Sequence, residues 1–76
     1  MPKQYIDEKL IVEVRKRLRQ IREDRGLSQD IVDYDIDTNT SRIERGKVNI
    51  TISTLSKLCS YYNISLKDFF HGIDPK

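Results

Sequence analysis

Ser41-Arg42-Ile43-Glu44-Arg45-Gly46-Lys47-Val48 is the stretch that decides how this chain is read. By itself it is the end of a short helix, a glycine stop and a basic turn. Upstream, Gly26-Leu27-Ser28-Gln29 pairs a glycine that stops one helix with a serine that starts the next. Two short helices at that separation, with Arg and Lys around the second, suit an element that docks in a duplex groove.

The rest of the chain fits helices on either side. Ile11, Val14, Leu18 and Ile21 recur at three- and four-residue steps and make one apolar stripe, with bases between them on the wet side. Ser28 is expected to cap a second helix with Asp30 in its first turn, and Ile31 and Val32 to point inward. Asp33 to Asp37 holds weak helix formers and is expected to form the turn, with Ile36 plugged into the core. Asp37 or Thr38 is expected to cap a third helix ending at Gly46. Thr51 then caps a fourth, whose core face reads Ile52, Leu55, Leu58, Cys59 and Tyr62. Ser65 and Asp68 resemble a capping box for a last turn that returns Leu66, Phe69 and Phe70 to the core. No strand alternation is sustained anywhere.

With 76 residues there is room for one domain, residues 1–76, with its core at about 10–70 and a frayed tail at 71–76. Such a core supplies roughly 3–5 kcal/mol without staples. Cys59 is alone, so no internal disulfide is expected, and a reducing, cytoplasmic setting is the default. No membrane span or signal peptide is expected. The net charge of +2 argues little, but its distribution argues more. Arg15, Lys16, Arg17, Arg19, Arg22 and Arg25 crowd one segment, whereas Asp30, Asp33, Asp35 and Asp37 fill the next without a base.

The string Leu18-Arg19-Gln20-Ile21-Arg22, Gly26-Leu27-Ser28-Gln29, Ser41-Arg42-Ile43-Glu44-Arg45-Gly46, Ile52-Ser53-Thr54-Leu55-Ser56-Lys57-Leu58 and Ile64-Ser65-Leu66 resembles the Cro/phage-repressor (XRE) helix-turn-helix family over about residues 14–70. The resemblance implies an all-α, compact five-helix bundle of the lambda-repressor-like type, with helices 2 and 3 as the helix-turn-helix and helix 3 in the major groove. It implies that Arg22 and Glu44 form an internal ion pair. One departure stands out: only eleven residues separate Gln29 from Ser41, fewer than is usual in the family, so the second helix must be shorter or the turn tighter. Thr40 also stands where a core aliphatic is usual.

Particular residues then acquire candidate roles. Gln29, at the start of the second helix, is placed to donate with backbone N–H groups to a phosphate, or is simply a surface amide. Arg42 has the planar fork that fits guanine O6 and N7, or it clamps phosphate or a surface partner. Ser41 shares its face, and Thr38 and Asn39 serve as base or phosphate contacts or as caps. Asp37 is better suited to capping than to phosphates. Lys47 supplies a sequence-blind charge on the backbone, with Arg45 beside it and Arg19 as a further phosphate contact. Tyr61, Tyr62, Phe69, Phe70 and Ile73 either form a C-terminal homodimer face or only cover the core.

A rival chemistry occupies the same stretch. Asp33, Asp35, Asp37 and Glu44 fall at positions 1, 3, 5 and 12 of a calcium loop, but Thr38 replaces its glycine and Thr40 its aliphatic. No metal, no cofactor and no catalysis are expected; Cys59 reads as a small core residue and His71 has no partner ligand. The expected function is sequence-specific binding of double-stranded DNA by a transcriptional regulator. The alternative is an antitoxin-like or adaptor module that binds a partner protein on the same fold.

Overall fold

The computed structural model describes residues 7–46 and 50–73. Within them the molecule is all-α, with helices α1 (Glu8–Asp24), α2 (Gln29–Ile36), α3 (Thr40–Arg45), α4 (Ile52–Tyr61) and α5 (Leu66–Phe69). Short polar side chains start most of them. Asp7, Ser28, Thr51 and Ser65 accept hydrogen bonds from the backbone N–H groups of Leu10, Ile31, Thr54 and Asp68, which satisfies donors that the first turn leaves free. Left-handed residues close four of them, and two of these make the same turn. At Gly26 (φ 67°) the N–H of Leu27 reaches back to Arg22 O and that of Gly26 to Glu23 O. Asn63 (φ 59°) repeats the pattern, with Ile64 bonded to Cys59 O and Asn63 to Ser60 O. Both are Schellman turns, and each turns an apolar residue, Leu27 or Ile64, back onto the core.

The core gathers Val14, Leu18 and Ile21 of α1, Val32 of α2, Ile43 of α3, Leu55, Leu58 and Cys59 of α4, and then Tyr62 and Phe69. Burial pushes the Cys59 thiol above its ordinary range. α3 packs on α1 and α2, and α5 on α4.

Several expectations need correction. Asp33 and Asp35 lie inside α2, and the turn is confined to residues 37–39. Asp37 does not cap α3: it is the left-handed C-cap of α2 (φ 53°). Ile31 is 49% exposed, because α2 buries the stripe Gln29, Val32, Asp33 and Ile36 instead. Ile52, the first residue of α4, is 80% exposed. Leu66 and Phe70 are only partly returned to the core and keep 38% of their surface exposed. Tyr62 and Phe69 are fully interior, so the C-terminal face expected for a homodimer loses two of its five members. Of the tail expected at 71–76, Ile73 packs on the core and His71 O accepts from Arg17 Nη2 at 2.9 Å, and residues 74–76 lie outside the described residues.

Candidate nucleic-acid interface

The six residues of α3 are too few to persist alone, so neighbours must hold them. Its N-cap, Asn39, makes no side-chain cap bond. The Asp33 carboxylate of α2 does that work, accepting from Thr40 N at 2.7 Å and from Thr38 Oγ at 3.1 Å. Thr40, buried where the family usually has an aliphatic, shares its hydroxyl with Thr38 at 3.1 Å. A polar knot therefore closes the shortened turn. Nothing local in the sequence announces it, since Asp33 and Thr40 lie seven residues apart.

At the other end α3 is tied to α1. Arg22 Nε donates to Glu44 Oε2 at 2.8 Å and Nη2 to Oε1 at 3.0 Å, while Nη1 donates to Leu27 O at 2.7 Å. The two side chains are 11% and 4% exposed. The hydrogen bond to Glu44 raises the Arg22 pKa above its ordinary value, more than desolvation lowers it. Gln29 Nε2 also donates to Glu44 Oε1, at 3.0 Å, so the start of α2 joins the same carboxylate. The amide expected to meet a phosphate is thus held from inside. The network fixes the roll of α3: Thr40 and Ile43 face in, and Asn39, Arg42 and Arg45 face solvent, with Ser41 half-buried.

Thr38 is drawn toward α2 by its bond to Asp33 rather than toward the outer face of α3. Arg19 stands on the surface of α1, paired with Glu23 at 3.2 Å one turn away. Lys47, expected to follow α3 with a phosphate contact, lies outside the described residues. The carboxylates of the calcium-loop pattern go to separate partners: Asp33 to the start of α3, Asp35 to the Tyr61 hydroxyl, and Glu44 to Arg22.

Residues 41–69, from α3 through α5, match the family described as Helix-turn-helix. Over that stretch, less than half of its length, the chain is similar to the helix-turn-helix family. The match begins just past the shortened turn, so it takes in α3 to α5 and not α2. An HTH-type transcriptional regulator, DdrOP3 of Deinococcus deserti, is 34% identical over 67 residues, which covers 78% of this chain and 48% of that protein. The chain therefore spans about half the length of that relative. No solved structure matches it significantly. No helix among the described residues is long and apolar enough to cross a membrane.

Proposed function

We propose that this helix-turn-helix chain is a non-enzymatic, DNA-binding transcriptional regulator of the cytoplasm that lays α3 in the major groove of a specific duplex. One observation carries the reading: α3 is anchored at both ends through its inner side, by Asp33 and by Arg22–Glu44, while Arg42 and Arg45 stand free to solvent. A short rod held that way presents its bases without rearrangement. Arg42 is the base reader, with Asn39 and Ser41 beside it. Arg45, Lys47 and Arg19 hold phosphates, and the start of α2 at Gln29 adds backbone N–H groups. Two copies on half-sites about one helical turn apart, roughly 34–36 Å, supply the affinity that one small module lacks.

Selection of sites from random duplexes tests this directly. It should return a near-palindrome. Arg42→Ala should cost ~1–3 kcal/mol and relax one position, whereas Lys47→Ala should weaken all sequences alike. Failure to enrich any sequence would end the reading.

A second reading has its own support. α2 exposes Tyr34 (90%) and Ile31 among acidic side chains, a face suited to a partner protein as in an antitoxin-like or adaptor module. An adaptor without DNA contact would show no duplex binding even at low salt, whereas a DNA binder loses affinity steeply as salt rises.

A further inference from the structure

Arg15 and Arg22 lie seven residues apart on the side of α1 that meets α3. Arg22 is engaged by Glu44. Arg15 is half-buried, and its guanidinium occupies the space that a Cβ on Gly46 would fill. Its Nε is sealed from solvent and has no hydrogen-bond partner among the described residues. Beside it, α1 and the end of α3 enclose an open cleft of about 190 Å³ lined by Val12, Arg15, Lys16, Arg19 and Glu44. Glu44 does not set the sign of this cleft, because both its oxygens already accept from Arg22, and one from Gln29 as well. Arg19 is held only by Glu23, in an exposed pair of the kind that binds weakly and exchanges readily. Lys16 is exposed and is bonded to no described side chain.

The geometry points to this cleft as an anion subsite that takes a backbone phosphate of the duplex, with Arg15 as its fixed wall and Lys16 and Arg19 as the groups that close on the anion. The inference rests on the DNA-binding reading above and extends it to a second element. Continuity supports it. Arg42 and Arg45 are one turn apart on the open side of α3, Gly46 follows, and Arg15 lies on Gly46. A six-residue helix is about 9 Å long, shorter than the ~12 Å width of the major groove. On that reading Gly46, with Arg15 against it, stands at the groove's edge, where phosphates run. Arg15 is the half-buried counterpart of these surface cations, and its charge lies beside the cleft when Arg19 releases Glu23.

Phosphate contacts are blind to sequence, so a mixed-sequence duplex is the probe, titrated by fluorescence anisotropy at several salt concentrations. Lys16→Gln with Arg19→Gln should weaken binding to every duplex alike. It should flatten the slope of log K against log salt by about 0.9, the share of the one phosphate no longer neutralised, and leave base preference and melting temperature unchanged. Glu23→Gln, which frees Arg19, should tighten binding in the same sequence-blind way. Wild-type binding with an unaltered slope in the double variant would overturn the subsite and leave the DNA reading intact. Absence of wild-type binding at low salt would overturn both.

Discussion

Tyr62 is 2% exposed, and Arg25 Nε donates to its carbonyl at 2.8 Å, yet its hydroxyl has no partner among the described residues. Desolvation is the main reason its pKa is pushed up to about 12, with the Glu44 charge adding to it. An unfolded tyrosine ionises near 10. Between those values the unfolded chain releases a proton that the folded one keeps, so stability present below pH 10 is lost as pH rises toward 12, on the order of 2–3 kcal/mol. Tyr62→Phe removes both the orphaned hydroxyl and that alkaline loss. It should raise stability at pH 7 by about 1 kcal/mol, a gain of roughly 4–8 °C in Tm for a domain this small, and flatten the fall in Tm between pH 10 and 12. Thermal melts of both proteins across that range check it; an unchanged alkaline slope would mean the hydroxyl is not buried. Glu44 is the opposite case, a charge whose every oxygen is used. Glu44→Ala strands Arg22 in a nearly dry site and should cost ~3–5 kcal/mol, comparable to all that a core of this size supplies. Circular dichroism should show the cooperative melt shifted far down or gone, with Glu44→Gln in between because it keeps an acceptor for Arg22. A melt of Glu44→Ala that overlays wild type would remove the pair from its structural role.

At the scale of elements, α3 depends on a cap it does not carry. Asp33→Ala deletes the acceptor for Thr40 N and for the Thr38 hydroxyl and should cost about 1–2 kcal/mol. Because the cap belongs to α3, the same change should weaken duplex binding more than the loss of global stability explains, whereas Asp33→Asn, which retains an oxygen, should lose little. Urea unfolding set beside duplex titration separates the two effects; equal binding by Asp33→Ala would make the cap irrelevant to the interface. This element also marks where sequence reading stops. Asp7 aside, the caps at Ser28, Thr51 and Ser65 and the stop at Gly26 are local signals, because donor and acceptor lie close together in the chain. The stripe of α1 is legible for the same reason. α2 is not, since two of the four positions it buries are Gln29 and Asp33, and a search for apolar periodicity then settles on Ile31. Both are inward for polar reasons, Gln29 to reach Glu44 and Asp33 to reach α3. The Arg22–Glu44 bond spans 22 residues; only family resemblance, not spacing, makes it an expectation.

At the scale of the whole molecule, a net charge of +2 hides a sorted surface. The bases of α1 and the open side of α3 meet near Gly46, while the acids of α2 are partly spoken for, Asp33 by α3 and Asp35 by Tyr61. The hydrogen bond to Asp35, which ties α2 to α4, also raises the Tyr61 pKa. On the proposed reading the area of one such module is small, and a second copy supplies the affinity. Two copies bound to one face of the duplex at a fixed separation read spacing as well as sequence. Inserting about half a helical turn, roughly five base pairs, between the selected half-sites places the copies on opposite faces and should cut affinity at least about tenfold, while a full-turn insertion of about ten should restore part of it. Sedimentation of the complexes should show two copies per duplex on the parent site. Equal affinity for all three spacings would mean that each copy binds alone, and the regulator would then have to draw its specificity from the few side chains that α3 exposes, with Arg42 foremost among them.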